Sequence, residues 1–224
     1  MPNILIACEC SQTIANEFRR NGFNAFSCDI CTCYGGHPEY HIIGDALQLI
    51  VGGVFTTVTG DIVTVDKWDL IIAHPPCTYL SVAGNAFFNV DKYGKSALER
   101  IEKRITAFNF FMDIVHNANC DRLCIENPVG YINTHYRKPD QIIHPYMFSN
   151  GPDDTENYVT KRTCFWLFNL PPLQPTYNGK RSAKFGKYNN WCESITKNRS
   201  TVRSKTFQGV ASAIVKQWGV LLNA

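Results

Sequence analysis

The stretch Trp68-Asp69-Leu70-Ile71-Ile72-Ala73-His74-Pro75-Pro76-Cys77-Thr78-Tyr79-Leu80-Ser81 holds an apolar run that halts at two prolines and a cysteine. Apolar residues without alternation describe a strand covered on both faces, and proline, which has no N–H, cannot continue the hydrogen-bond ladder. The strand ends there. Cys77 stands just past its carboxyl end, where open α/β sheets bind ligands. Cysteine is often a small core residue, and the chain has ten. Cys8, Cys120, Cys124 and Cys164 lie in or beside apolar segments and read as core residues; the prolines before Cys77 set it apart.

On the amino-terminal side, Asn3-Ile4-Leu5-Ile6-Ala7-Cys8 is a first buried strand. Ser11 reads as the cap of a following helix that turns Ile14 and Phe18 inward, and Gly22 ends it. Ala25-Phe26-Ser27-Cys28-Asp29 is a second strand closing on an acid, at the distance where dinucleotide-type folds place a ribose-binding carboxylate. Tyr40-His41-Ile42-Ile43 is a shorter strand, and Asp45 follows it either as a second such acid or as a turn residue. Two β-branched runs around Gly60-Asp61 predict a hairpin inserted near 54–66.

Past Cys77, the segment 96–116 spaces Leu98, Ile101, Ile105, Phe108, Met112 and Val115 helically, with charged residues between them, as a crossover helix does. Arg122-Leu123-Cys124-Ile125-Glu126-Asn127-Pro128 is another apolar strand ending in polar residues and a proline, so Glu126 emerges at the same edge as Cys77. Cys164–Phe168 is a further strand, Pro171-Pro172 an exposed turn, and 207–222 a closing amphipathic helix. Strands alternating with helices predict a single doubly wound, Rossmann-like α/β domain spanning 1–224.

Composition bounds the function. With 45% hydrophobic and 18% charged residues the chain has the make-up of an ordinary globular domain and not of a fibre or a disordered tail. No apolar run reaches membrane-spanning length and no leader precedes the first strand, so the expectation is a cytoplasmic protein with reduced thiols and no membrane partner. The net charge of +3 is modest but uneven. A basic loop near 177–203 includes Lys180, Arg181, Lys184, Lys187, Lys197, Arg199 and Arg203, with Phe185, Tyr188 and Trp191 interleaved. Such a loop suits phosphates and unstacked bases, or is simply a solvated loop. Cys28, Cys31, Cys33, His37 and His41 crowd together, but the single residue between Cys31 and Cys33 is not a zinc knuckle, so no metal is assigned and a zinc-dependent nucleotide enzyme is the weakest reading.

A thiol and a carboxylate at neighbouring strand ends make a nucleophile and an acid of one pocket. In a dry cleft the Glu126 carboxyl is expected to have a raised pKa and to hold a proton at neutral pH. In this order, Pro75-Pro76-Cys77 with Ser81, Glu126-Asn127-Pro128 and Gln208–Ala213 resemble the proline-cysteine, Glu-Asn-Val and carboxy-terminal motifs of the cytosine-C5 methyltransferases. The strings His74–Leu80, Gln141–Phe148 and Lys205–Gly209 are similar to those of small bacteriophage members that lack a target recognition domain.

The resemblance implies a class I S-adenosylmethionine-dependent methyltransferase fold, with Cys77 adding to C6 of cytosine and Glu126 at N3. It implies cofactor contacts from Ala7, Glu9, Cys10, Ser11, Asp29, Ile30, Asp45, His74, Pro75, Gln208 and Gly209. Substrate contacts fall to Pro76, Ser81, Asn127, Pro128, Lys161 and Arg162. The implied substrate is cytosine, in DNA or in a free nucleotide such as CMP or dCMP; a catalytically idle binder of nucleic acid or cofactor is the alternative. Two departures stand out. Ala7-Cys8-Glu9-Cys10-Ser11 lacks the family's Phe-x-Gly-x-Gly pattern, and only 170–202 is available where a recognition domain would lie.

Overall fold

The computed structural model describes residues 1–179 and 205–222. In chain order its main elements are β1 (Asn3–Ala7), α1 (Thr13–Arg20), β2 (Asn24–Asp29), β3 (His41–Ile43), α2 (Ala46–Leu49), β4 (Gly53–Thr56), β5 (Ile62–Val65), β6 (Trp68–Ala73), α3 (Val90–Tyr93), α4 (Lys95–Asn117), β7 (Cys120–Pro128), α5 (Ile132–His135), β8 (Gln141–Ile143), β9 (Thr163–Phe168) and α6 (Gln208–Trp218). Seven strands form one sheet in the order β3-β2-β1-β6-β7-β9-β8, and β4 and β5 pair separately as the expected hairpin. β1, β2, β3, β6 and β7 run parallel, whereas β9 is antiparallel to both β7 and β8. The sheet is therefore mixed, and it is compatible with a Rossmann-like fold. The chain builds β2 and β3 on one side of β1, then crosses to β6 on the other, which makes the gap between β1 and β6 the switch point where such sheets bind ligands.

The uninterrupted apolar runs of β1 and β6 are explained by helices on both faces. Successive strand residues point to opposite sides. Ile4, Ile6, Leu70, Ile72 and Cys124 join a core with Ile14 and Phe18 of α1 and Val210, Ile214 and Trp218 of α6. Leu5, Ala7, Ile71, Ala73, Leu123 and Ile125 join the opposite core with Leu49 of α2 and Ala107, Phe111 and Ile114 of α4. The hairpin packs on this second layer, stacking Phe55 on Trp68 with ring centroids 6.4 Å apart.

The stop of α1 falls at the residues the sequence marks, but its start does not. Gly22 adopts φ 84°, the Phe23 amide bonds the Phe18 carbonyl, the Gly22 amide bonds that of Arg19, and the two phenylalanine rings meet edge-on at 5.5 Å. That is a left-handed glycine stop sealed by an apolar contact. At the other end the cap position is Gln12, with φ 54°, and Ser11, one residue earlier, takes only the Thr13 amide through its hydroxyl, at 3.4 Å. Gln12 makes no side-chain cap bond. The orphan amides of Ile14 and Ala15 are taken instead by the buried Glu9 carboxylate, at 2.9 and 3.4 Å. Glu9→Ala is expected to destabilise the protein by about 1–3 kcal/mol, because it strands buried donors. Glu9→Gln, which keeps an acceptor, should cost less; chemical unfolding of the two variants side by side checks the order.

No helix among the described residues is long and apolar enough to cross a membrane. The basic loop expected near 177–203 lies, from Lys180 onward, outside the described residues.

Candidate active site

β6 and β7 are neighbours in parallel register, with Ala73 opposite Ile125. The next residues, His74 just past the end of β6 and Glu126 within β7, therefore leave on the same face, and His74 Nδ1 lies 3.1 Å from Glu126 Oε2. One residue further, Asn127 is fully buried and its Nδ2 donates to the Pro75 carbonyl over 2.9 Å. The strand ends inferred from the two proline stops are adjacent and cross-linked.

The Cys77 loop is fastened at its far end as well. The amides of Leu80 and Ser81 fold back onto the Cys77 carbonyl at 3.0 and 3.1 Å, Ser81 bridges Gly130, and the Tyr131 amide donates to the Leu80 carbonyl over 2.7 Å. The Ser81 hydroxyl accepts the Ala83 amide at 3.3 Å, which starts a 3₁₀ turn. Arg104 Nε of α4 donates to the Tyr79 carbonyl at 2.9 Å. Between these ties Pro76, Cys77 and Thr78 are exposed. Gly130 sits so close beneath the loop that an added Cβ would overlap the Leu80 carbonyl oxygen. Gly130→Ala is expected to lose about 1–3 kcal/mol through this overlap and to displace the loop. Thermal unfolding, paired with the alkylation rate of Cys77, checks both effects.

A cavity of about 30 Å³ opens on the α1–α6 face, with His74, Glu126, Lys161 and Phe207 among its walls, closed below by Ile72 and Phe165. That is room for about one water molecule. Cys77 is not one of its walls. The carboxyl of Glu126 differs from expectation. Burial, the largest single influence, pushes its pKa up, but the His74 hydrogen bond, the Lys161 ammonium and the field of His74 together outweigh it and hold the group below its ordinary value. The sequence shows the apolar walls and not the two cationic partners. Two buried polar atoms here, His74 Nε2 and Asn127 Oδ1, find no hydrogen-bond partner among the described residues. His74 thus pairs with Glu126, a contact that only strand register reveals.

The remaining expected residues are spread around the carboxyl edge of the sheet and the start of α6. At the switch point, Cys8 takes φ 61°, a left-handed turn that glycine usually fills. Behind it Glu9 is buried against the start of α1, its carboxyl raised by burial, an effect partly offset by His74, the Ile14 and Ala15 amides and the Ser11 hydroxyl. At the end of β2, Asp29 Oδ1 accepts the Cys31 amide at 3.0 Å, and Ile30 leaves 79% of its surface exposed. Asp45 caps α2 through the Leu47 amide at 3.0 Å, which is the turn role weighed for it.

The carboxy-terminal pair is built into helix packing. Gln208 Nε2 and the Ser212 hydroxyl donate to Glu17 of α1 at 2.8 and 2.9 Å. Gly209 lies against the Phe148 carbonyl, where a Cβ would collide, and its amide donates to Asn157 Oδ1 at 2.9 Å. Pro128 pairs with Thr163 across β7 and β9, Lys161 reaches the cavity, and Arg162 is exposed.

The crowded cysteines do not assemble as the zinc reading would have them. Cys28 is buried in β2, His37 pairs with Glu39 at 2.9 Å, and buried His41 is held by Ser27 at 2.8 Å and the Cys31 carbonyl at 2.9 Å. Of the expected core cysteines, Cys124 and Cys164 are buried, while Cys8 and Cys120 are half-buried.

No protein-family model matches this chain, and no curated protein is significantly similar to it.

Proposed function

We propose that the protein is an S-adenosylmethionine-dependent methyltransferase of class I type acting at C5 of cytosine, in DNA or in a free cytosine nucleotide. The observation that carries this reading is the fastening of the Cys77 loop to the β7 end that bears Glu126, through Asn127 and Pro75 at one end and Tyr131 and Leu80 at the other. An exposed thiol held at a fixed offset from a half-buried carboxylate suits a ring that must be attacked on one carbon and held at a nearby nitrogen.

Cys77 gives its proton to solvent as Sγ bonds to C6, and the electron pair of the C5–C6 double bond moves to C5, which becomes nucleophilic. Glu126 holds the ring at N3. It enters the reaction as a carboxylate, so the proton that neutralises the developing charge is taken up when the base binds. His74 and Lys161 orient that carboxylate. Once C5 carries the methyl group its hydrogen leaves as a proton to solvent, the C–H electron pair re-forms the C5–C6 double bond, the thiolate departs from C6, and the N3 proton returns to Glu126. When bound, S-adenosylmethionine supplies the methyl group. Residues fit to hold it lie along the switch point: the Asp29 carboxylate for hydroxyls, the exposed Ile30 for an apolar ring face, and the turn at Cys8–Ser11 for the amino-acid end.

The test is incubation with labelled cofactor and, separately, duplex DNA, single-stranded DNA, CMP and dCMP. Label is expected in one class of cytosine substrate; none in any of them would refute the reading. A second reading, an idle binder on the same fold, is favoured by the turn after β1, where Cys8 and Gln12 hold φ 61° and 54° in place of glycines. It predicts that Cys77→Ser changes nothing measurable.

A further inference from the structure

Away from Cys77 and Glu126, the ends of β1 and β2 bring together three potential ligands that are distant in spacing rules but close in space. Cys10 Sγ, Cys31 Sγ and a carboxylate oxygen of Asp29 all lie within 4.8 Å of one another. We propose that Cys10, Asp29 and Cys31 form a binding site for a thiophilic divalent cation such as zinc.

The ligand set has the right chemistry. Zinc takes thiolate sulfur at about 2.3 Å and carboxylate oxygen at about 2.0–2.2 Å, so tetrahedral ligand atoms stand roughly 3.5–4 Å apart. The observed separations need only small side-chain movements to reach this. Three protein ligands leave a fourth position, and the exposure of Cys31 leaves it to solvent or a solute.

The backbone around the site is already set. The Tyr34 amide donates to the Cys10 carbonyl at 2.9 Å, which locks the loop after β1 to the loop after β2. The Cys31 amide is bonded to Asp29 Oδ1, and the Cys31 carbonyl receives Nε2 of His41 at 2.9 Å. His41 is fully buried and its other ring nitrogen is fixed by Ser27. An imidazole anchored on both sides holds a ligand's backbone as outer-shell partners do in metal sites. On binding, each thiol forms a sulfur–metal bond as its proton leaves to solvent, so the site takes up metal with proton release.

The site itself does not rest on the methyltransferase reading, although one consequence does. Asp29 is the acid that reading gives to the cofactor, so the ion and the cofactor compete for one carboxylate.

The full chain, reduced and stripped with chelator, is titrated with cobalt(II) alone and then zinc(II). One equivalent is expected, with sulfur-to-cobalt charge-transfer absorption that zinc displaces. Cys10→Ser and Cys31→Ser lose that absorption, and Cys33→Ser keeps it. Should a variant fail to fold, the wild-type protein answers alone, since zinc should protect Cys10 and Cys31 from alkylation and leave Cys77 reactive. The site is overturned if no stoichiometric metal binds, if protection maps to other cysteines, or if Cys10 and Cys31 close into a disulfide in preference to taking zinc. Calorimetry with S-adenosylmethionine completes the test: affinity falls with zinc present if the two compete, and equal affinity removes the competition. A protein that takes zinc but never the cofactor refutes the methyltransferase reading and leaves the metal site standing.

Discussion

Cys77→Ser is expected to abolish methyl transfer while leaving the fold and cofactor binding intact. The size follows from chemistry: a serine hydroxyl without an adjacent base is a far weaker nucleophile than a thiolate, and loss of a covalent nucleophile costs at least about 10³-fold in kcat. Little stability is at stake, because Cys77 is exposed and substitutions at such positions fall within about 0.5 kcal/mol. Calorimetry with the cofactor and single-turnover transfer, measured on the same preparation, separate the two effects. Transfer that survives the substitution would remove covalent catalysis from the mechanism. A substrate with fluorine at C5 gives an independent readout. Fluorine cannot leave as a proton, so the base should remain attached to Cys77 and appear as added mass on its peptide.

Glu126→Gln carries the second large effect. The amide keeps the shape of the side chain but cannot take up the proton at N3, and loss of positioned proton transfer is worth roughly 10²–10⁴-fold. The same variant has a pH signature whose sign is fixed by the native environment. Although burial opposes it, the His74 hydrogen bond and the Lys161 and His74 charges hold the Glu126 pKa down in the folded protein. A depressed folded pKa means that the unfolded chain binds the proton first. Glu126 therefore contributes stability above its unfolded value of about 4.3, and that contribution is lost as pH falls through the lower folded value. Denaturant midpoints of wild type and Glu126→Gln should stand apart near neutrality and converge on acidification through that window. A gap that stays constant across it would mean that the carboxylate is not paired in the way described.

Which features could be read ahead of the structure follows from the range of the forces involved. β1, β6 and β7 announce themselves because a strand covered on both faces needs an apolar residue at nearly every position; α4 is legible as a helix but not in its buried face, since Leu98 and Ile105 are each 50% exposed and Ala97, Ala107, Phe111 and Ile114 are the residues it buries. The start of α1 lies one residue beyond where Ser11 points because most of its cap comes from Glu9, which reaches past a left-handed Gln12, and no spacing rule looks for an acceptor there. The three-residue β8 has too little chain to show a pattern. At the site, proline stops located Cys77 and Glu126 one by one. Their linkage depends on β6 and β7 being neighbours in one register, and so does the pairing of His74 with Glu126. For that reason the Glu126 shift runs opposite to the one its sequence neighbours imply: desolvation can be inferred from apolar neighbours in sequence, whereas Lys161 lies 35 positions away in the chain.

The docking of α6 on α1 sets an order of events for the whole protein. Glu17 is held by Gln208 and Ser212, some 190 residues later in synthesis, and the same helix supplies Val210 and Ile214 to the cavity that contains Glu126. A ribosome-bound chain that has emitted the seven strands of the described sheet still presents this carboxylate with one wall missing. The pocket is thus among the last parts of the molecule to close, and shortening the chain before residue 208 should leave much of the sheet in place while depriving Glu126 of its enclosure.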